Sequence, residues 1–445
     1  MSISPVVGFG WDHLWVYAFL TLMQVSAVAI DAGFSASCNQ WYQIVWDVDF
    51  YEYLALNRAM YAYWWIPTLV GFIAVGYVCD KFGRWRALMG ISLFTLLLSP
   101  LLWAAAGPSM FSAGWMLVRD FGREGICMML LVYLYEWTPQ KHSATAVLAF
   151  GMVSQVGQLL IAVIMSSSDY VEITDTDKGM DNWWVIVTAV PFALLCVSML
   201  VGLITVRKDT PVQVSYGEWP NKNGWIRFGL CCIASFGAIY WTMIPDHAYG
   251  YWFQAYIGES YQFNSLPCEI GTHVCVMIGV LTSICILRKL PNAASYIPGL
   301  ALCVLAVSCG MLSGVYLYTE SGESRKDFAS GEYVQVGVAL GLAALVGSVL
   351  KSILSLFVLQ TFDTRVRGRG MAIYTIVLVC ITNSARLVRN GRNKDTDLYS
   401  GICVFFAILG VLALYGFVKT DPKPNTLEQD EVICKPIDQK LSAQV

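Results

Sequence analysis

Four charged residues interrupt one of the apolar stretches of this 445-residue chain. Arg119, Asp120, Arg123 and Glu124 lie close together among mostly hydrophobic neighbours. If this stretch crosses a membrane, each charge costs about 2.5–3.5 kcal/mol on insertion scales, so the four must face the protein interior or a wet cavity. Two interpretations are open: the groups neutralise each other in a polar contact between helices, or they bind a solute or a proton. Asp31 lies in an earlier apolar stretch, and by depth we expect Arg119 to be its partner.

Charged and aromatic residues also occur in apolar stretches of the second half. Lys351 and Arg386 are cations, and each either extends to the membrane surface or faces the interior. If both face the interior, the solute carries a carboxylate, sulfate or phosphate. Tyr240 and Trp241 are aromatic candidates for contact with a solute, although aromatic residues near the end of a span also fit the belt at a membrane surface.

The composition excludes a soluble domain. Hydrophobic residues make up 57% of the sequence and charged residues 13%, whereas about 25% of the residues of an ordinary soluble domain are charged. A soluble protein of this length cannot bury so much apolar surface, so part of it must contact lipid. The net charge of -3 indicates no affinity for nucleic acid. We therefore predict an integral membrane protein that crosses the membrane several times.

Twelve apolar runs are long enough to cross a bilayer, and hydrocarbon requires each to be a helix because it offers no water to the backbone. We predict an all-α polytopic protein with an N-terminal six-helix bundle (1–206), a cytoplasmic segment (207–225), a C-terminal six-helix bundle (226–418) and a disordered cytoplasmic tail (419–445) that could bind a protein partner. The predicted spans are 14–35, 59–79, 87–107, 110–135, 143–166, 183–206, 226–257, 270–287, 296–318, 334–358, 371–388 and 398–418.

The distribution of Lys and Arg predicts the orientation of these spans. With the N-terminus inside, sixteen of the 28 Lys and Arg residues fall in the inner loops and tail, and seven in the outer loops. Cytoplasmic loops carry an excess of these residues. We therefore expect both termini to be cytoplasmic, in the plasma membrane or an organelle membrane.

The loop between the second and third predicted spans combines glycines with charges. It reads Gly76-Tyr-Val-Cys-Asp80-Lys-Phe-Gly83-Arg84-Trp-Arg86. Glycine permits the positive φ of a tight turn, and the cations can pair with Asp80 or with carbonyl groups at helix ends. This pattern resembles G-x-x-x-D-R/K-x-G-R-x-R/K, a loop signature of the major facilitator superfamily.

Two further loops resemble elements of the sugar-porter and organic-ion branches of that superfamily. Glu136-Trp-Thr-Pro139 is similar to the start of E-x-x-P-x-x-x-R, although Ser143 stands in place of the arginine. The second half carries a divergent counterpart, in which Gln360 replaces the acid and Arg367 is retained.

The resemblance implies two six-helix bundles around a central cavity that opens alternately to the two sides of the membrane. It also implies a conformational latch at the cytoplasmic loops, which forms in one state and breaks in the other. We assign the charged part of this latch to Asp80, Arg84, Glu136 and Arg367. The other residues that we assign to the latch are Gly76, Gly83, Arg86 and Pro139.

The function that this resemblance implies is secondary transport of a small polar or ionic organic solute. Asp31 with an arginine of the fourth span resembles the proton-coupling pair of proton-driven sugar porters, and Asp31 or Glu124 could carry the proton. The alternative is a transport-inactive receptor, sensor or structural subunit of a membrane assembly, which the divergence of the second-half loops favours. The candidate residues for solute binding or coupling are Asp31, Arg119, Asp120, Arg123, Glu124, Tyr240, Trp241, Lys351 and Arg386.

Sequence patterns of enzymes and cofactor sites are not found. The chain has no G-x-x-x-x-G-K-[ST] for a nucleotide, no H-E-x-x-H for zinc and only four histidines. We therefore expect no enzymatic activity, no cofactor and no metal site. The expected partners are the solute, membrane lipid and, through the tail, a protein.

Overall fold

Eleven helices account for nearly all of the residues that the computed structural model describes, and no β-strand occurs among those residues. The described residues are 11–40, 65–167, 183–206, 219–256, 261–289, 301, 330–391 and 396–419. The helices are α1 (Trp11–Gln40), α2 (Trp65–Phe82), α3 (Arg84–Trp103), α4 (the continuous segments Pro108–Met116, Leu117–Arg123 and Glu124–Trp137), α5 (Gln140–Ser167), α6 (Trp183–Thr205), α7 (Lys222–Tyr256), α8 (Tyr261–Lys289), α9 (Ser330–Thr361), α10 (Arg367–Gly391) and α11 (Thr396–Lys419).

The all-helical fold predicted from the sequence is confirmed. Eleven of the twelve predicted spans coincide with these helices, and the predicted ninth span, 296–318, lies outside the described residues apart from Ala301. The tail after Lys419 and residues 207–218 of the central segment also lie outside them. The proposed division into two bundles and a tail therefore stays a prediction.

The outer surface of the helices is apolar, as contact with lipid requires. Ile73, Leu97, Ile204 and Leu412 are each more than half exposed. Four of the described helices contain a segment that is long and apolar enough to cross a membrane. The segments are His13–Phe34, Arg84–Leu102, His142–Ile164 and Thr188–Thr205. The chain is an integral membrane protein that crosses the membrane more than once.

Most helix contacts fall within α1–α6 or within α7–α11, which we call the first half and the second half, and the two halves meet along two main contacts. In the first half α1 packs against α5 and α6, and in the second half α7 packs against α9 and α11. The halves contact each other mainly where α2 packs against α10 and where α5 packs against α8. A central space can therefore remain between these two contacts.

The beginning of α1 and the end of α11 lie at the same end of the molecule. Near the start of α1, the Tyr17 hydroxyl donates to Thr138 Oγ1 at 3.1 Å, just beyond the end of α4. Near the end of α11, the ring of Phe417 stacks on that of Phe357 at a centroid distance of 4.7 Å, one turn before α9 ends. The ends of α4 and α9 are themselves joined, because Arg367 donates both to Glu136 Oε1 and to the carbonyl oxygen of Leu359. The side of the membrane that this end faces stays a prediction.

Gly157 and Gly90 form a matched pair for testing the packing of α1 on α5. A Cβ atom on Gly157 would lie 2.7 Å from the carbonyl oxygen of Val25, whereas a Cβ atom on Gly90 would meet nothing within 4 Å. Since alanine is favoured over glycine in a helix by about 1 kcal/mol, Gly90→Ala should preserve or raise the free energy of unfolding. Gly157→Ala should lower it by about 1–3 kcal/mol because backbone atoms must move. Thermal unfolding in detergent measures both effects, and equal midpoints for the two variants would contradict this packing.

Candidate functional site: a latch between the halves and a polar cavity

Arg84 lies at the centre of a cluster of polar contacts where loops of the two halves meet. It follows Gly83, whose φ of 105° produces the sharp turn between α2 and α3. The arginine is 2% exposed. Its Nε and Nη2 each donate to the Glu136 carboxylate at 3.1 Å, and its Nη1 donates to Asp80 Oδ1 at 3.0 Å. Arg84 also donates to the backbone carbonyl oxygen of Thr364, so one buried cation joins both halves.

The Asp80 carboxylate binds the start of α10. Its Oδ1 accepts from the backbone N–H of Gly368 at 2.9 Å. Its Oδ2 accepts from the backbone N–H of Arg369 at 3.0 Å and from the Nε of that residue at 2.9 Å. The first N–H groups of a helix have no partner within it and carry partial positive charge, so a carboxylate is favoured there. Asp80 of the first half therefore caps a helix of the second half.

Glu136 forms a second bridge between the halves. Its Oε1 accepts from Arg367 Nη1 at 3.0 Å, while Arg84 binds the same carboxylate. The Nε of Arg367 donates to the carbonyl oxygen of Leu359 at 3.0 Å, and its guanidinium lies 4.8 Å from the ring centroid of Tyr135. The charged residues assigned to the latch thus belong to one continuous network, and their role as a latch stays a prediction.

Two glycines allow the backbones of the halves to come close together in this network. A Cβ atom on Gly368 would lie 2.6 Å from Asp80 Oδ1. A Cβ atom on Gly76 would lie 2.7 Å from the Cβ atom of Ala372 and 3.1 Å from the carbonyl oxygen of Gly368. Neither position can accept a side chain unless α2 and α10 move apart.

The other two residues assigned to the latch lie at its edge, and one contributor was missed. Pro139 directly precedes α5, and Arg86 is exposed, with no ion pair inside the described ranges. Arg369, which is not among the residues predicted for the latch, binds Asp80 and lies 5.1 Å from the ring centroid of Trp219 in the central segment. Its place two residues after the retained Arg367 was the available signal.

A cavity of about 150 Å³ lies between the two halves. Helices α1, α4 and α5 line it from the first half, and α9 and α10 line it from the second. In the part of the chain that the structure describes, no group of His, Cys, Asp or Glu side chains is placed to hold a metal ion. The main charged and amide residues of the lining are Gln24, Arg123, Glu124, Gln155, Gln158 and Lys351.

Asp31 pairs with Arg123, so our expectation of an Arg119 partner was wrong. Asp31 Oδ2 lies 2.8 Å from Arg123 Nη1. The bond between Tyr17 and Thr138 fixes the register of the antiparallel helices α1 and α4. Asp31 lies 14 residues after Tyr17 on α1. On the antiparallel α4, the residue 14 positions before Thr138 is Glu124, which is next to Arg123. The two charges therefore lie at the same depth.

Arg119 and Asp120 form a separate buried pair beside the cavity. Arg119 Nε lies 2.8 Å from Asp120 Oδ1, and the guanidinium lies 4.8 Å from the ring centroid of Trp115. The segment Leu117–Arg123 is a π-helix, whose wider turn changes the faces that residues present relative to an α-helix. Asn383 Nδ2 of the second half lies 3.5 Å from Asp120 Oδ2. The first two charges of the motif thus form a polar contact between helices, and the last two line the cavity.

The remaining four residues predicted to bind a solute differ in their positions relative to the cavity. Lys351 lines the cavity. Tyr240 is not part of the lining, and its ring packs against that of Phe406 with centroids 4.7 Å apart. Trp241 and Arg386 lie in α7 and α10, but their side chains are outside the described part of the structure.

Uncharged amides, which are not among the predicted binding residues, line the cavity as well. Gln24 Nε2 donates to Ser154 Oγ at 2.7 Å, which joins α1 to α5. Gln155 Oε1 lies 2.8 Å from His273 Nδ1, which joins α5 to α8 of the other half. The signal for Gln155 and Gln158 was the presence of two amides about one turn apart in an apolar span.

Sequence comparison agrees with this geometry. A family model described as Major Facilitator Superfamily matches residues 6–384. The chain belongs to the major facilitator superfamily. No curated protein matches the chain at a significant level.

Two solved structures share the major facilitator fold of this chain. The proton:xylose symporter XylE, bound to 6-bromo-6-deoxy-D-glucose, is 15% identical with a TM-score of 0.67, over 96% of this chain and 100% of the other. A bacterial homologue of the iron transporter ferroportin, in its outward-facing state, is 10% identical with a TM-score of 0.63, over 91% of this chain and 99% of the other. At these identities the likeness establishes the fold and does not extend to the solute.

Asp80→Asn should weaken the cap on α10. The amide hydrogens of Gly368 and Arg369 are bound to the two carboxylate oxygens of Asp80. An asparagine side chain keeps one acceptor but replaces the other with a donor and removes the negative charge. A lost hydrogen bond costs about 1 kcal/mol, which corresponds to about fivefold. Exchange of these two hydrogens should therefore become about fivefold faster, as measured by hydrogen exchange and mass spectrometry. Arg86→Gln is the matched control and should leave this exchange unchanged. Wild-type exchange in Asp80→Asn would contradict the cap.

Proposed function

We propose that this protein is a secondary transporter that moves a small polar or ionic organic solute across a membrane by alternating access. The cavity carries the proposal, because helices of both halves line it. A solute bound there touches both halves at once. A change in the tilt of one half against the other would then open the cavity to one side or the other.

The network around Asp80 and Glu136 supports a two-state mechanism. It joins the halves by hydrogen bonds and ion pairs at one end of the molecule. For buried ion pairs, Coulomb attraction and the cost of desolvation largely cancel. A network that becomes hydrated when it opens can therefore have open and closed states of similar free energy, which a transport cycle requires.

Proton coupling through the acids beside Arg123 is part of the proposal. Arg123 Nη1 lies 2.8 Å from Asp31 Oδ2 and 3.5 Å from Glu124 Oε1. Arginine stays charged at physiological pH, so protonation of one carboxylate would leave Arg123 paired with the other. The net charge beside the cavity would then change without loss of the structural pair. The proton:xylose symporter XylE has the same fold, and its coupling is a property of that protein.

Uptake into liposomes tests the proposed function. The purified chain is reconstituted and offered a panel of radiolabelled neutral, anionic and cationic solutes, with and without a proton gradient. Uptake of one class above that of protein-free liposomes supports transport, and acceleration by the gradient supports proton coupling. Silence across the panel, together with co-purifying proteins, would favour a receptor, sensor or structural subunit.

Arg123→Gln should lower the rate of uptake by about tenfold or more. Hydrogen bonds to charged groups contribute about 1.5–3 kcal/mol, and 1.4 kcal/mol corresponds to tenfold. Arg119→Gln is the matched comparison. Because Arg119 is only 3% exposed and pairs with a buried Asp120, its loss should instead lower the free energy of unfolding by about 3–5 kcal/mol. Uptake and thermal unfolding separate the two effects, and wild-type uptake by Arg123→Gln would rule out this site.

A further inference from the structure

Arg369 is held from two sides at the start of α10. Its Nε donates to Asp80 Oδ2 of the first half at 2.9 Å. Its guanidinium also lies over the ring of Trp219, 5.1 Å from the centroid, which is within the range of a cation–π contact. The side chain of Arg369 is 37% exposed, whereas that of Arg84 is buried. A partly hydrated arginine has many rotamers, and the contact with Trp219 limits them.

The ring of Trp219 is itself held by aromatic residues of the second half. It stacks on Trp225 with centroids 5.7 Å apart and an angle of 21° between the planes. It also meets the ring of Phe362 edge-on, with centroids 6.4 Å apart. Phe362 is buried directly after α9 and contacts Trp225 as well. These rings would keep Trp219 with the second half if α2 moved away.

The residues between Trp219 and Trp225 explain how the chain reaches this position. Asn221 caps α7, because its Oδ1 accepts from the backbone N–H of Gly224 at 2.9 Å. A Cβ atom on Gly224 would lie 2.7 Å from the Cβ atom of Pro220. The missing side chain of Gly224 therefore lets Pro220 fold back over the first turn of α7. This turn brings Trp219 alongside Trp225, so the central segment enters α7 in one defined direction.

The contact with Trp219 prepares Arg369 for its bond to Asp80. Fixing a free arginine side chain in one geometry costs conformational entropy, and a side chain that is already oriented loses less of it on binding. The cation–π contact uses the charge of Arg369 and leaves its Nε to donate to Asp80. If Asp80 left with α2, Arg369 would stay on Trp219 and be ready to bind again.

We propose that Trp219 is a positioning residue of the latch, which holds Arg369 in the orientation that binds Asp80. This inference deepens the proposed function and rests on it, because an alternating-access cycle is what opens and closes this network repeatedly. It makes the central segment, which connects the two halves along the chain, a part of the closed state of the latch.

Hydrogen exchange at Gly368 in a double-mutant cycle tests this inference. The amide hydrogen of Gly368 is bound to Asp80 at 2.9 Å, so its exchange reports the opening of the network. In Trp219→Leu it should exchange about two- to fivefold faster, which is the contribution of a cation–π contact at an exposed site. In the Arg369→Gln background the same substitution should have no further effect, because the group through which Trp219 acts is absent. Trp219→Phe keeps a ring and should accelerate exchange less than Trp219→Leu does.

Lys222→Gln is the control for a change near the start of α7, since Lys222 is exposed in the first turn of that helix. It should leave the exchange of Gly368 at the wild-type rate. Equal acceleration by Trp219→Leu in both backgrounds would mean that Trp219 supports α10 by packing alone, and would overturn the inference. Wild-type exchange in Trp219→Leu, or equal acceleration by Trp219→Phe, would overturn it as well. Trp219→Met takes the place of Trp219→Leu if the latter does not fold.

Exchange and uptake separate this inference from the proposed function. The exchange measurement uses the purified full-length protein and requires no transport. Coupling between Trp219 and Arg369 in protein that takes up no solute of the liposome panel would support the positioning role and contradict transport. Uptake by the wild type, combined with independent effects of the two substitutions on exchange, would support transport and refute the role of Trp219.

Discussion

The contact on which the rest of this structure depends is the cap that Asp80 places on α10. Both carboxylate oxygens accept N–H groups from the first turn of that helix, so the first half satisfies donors that the second half cannot satisfy alone. Gly368 has no side chain, and any Cβ atom there would meet Asp80. Arg84 then neutralises Asp80 and joins it to Glu136. In the proposed transport cycle, passage of a solute through this end of the molecule would require these contacts to break.

A second constraint acts deeper in the bundle, where a charge in the membrane is costly unless a partner or a wet cavity compensates it. Arg119 and Asp120 compensate each other in a buried contact beside Trp115. Asp31 and Arg123 form a pair between α1 and α4, at the edge of the cavity. Glu124 and Lys351 line the same cavity from opposite halves. The charges buried between helices stabilise the bundle, and the charges that line the cavity are the ones that a solute can contact.

The sequence predicted the fold and the loop network better than the arrangement inside the bundle. Apolar runs of sufficient length indicate helices because the backbone polar groups of a segment in lipid must bond to each other. Eleven of the predicted spans coincide with described helices. The residue types and spacing from Gly76 to Arg86 predicted which of these residues join the charged network. Arg369 was not predicted to belong to it because the second-half loop is divergent. The pairing of Asp31 depends on the register of α1 against α4, which the contact between Tyr17 and Thr138 sets. The π-helical turn at Leu117–Arg123 also breaks the α-helical spacing on which sequence reasoning depends.

A reversible cross-link across the cap tests the two-state mechanism most directly. A Cβ atom on Gly368 would lie 2.8 Å from Sγ and 3.1 Å from Cβ of Cys79, and 2.6 Å from Asp80 Oδ1. Gly368→Cys can therefore form a disulfide with this native cysteine once the Asp80 carboxylate shifts and α2 and α10 move apart, and uptake by the variant before oxidation measures the effect of that shift. Mass spectrometry verifies the bond, and uptake of the best solute of the liposome panel is measured before oxidation, after oxidation and after reduction. If the halves part here during transport, oxidation stops uptake and reduction restores the initial rate. Undiminished uptake by fully cross-linked protein would contradict the mechanism.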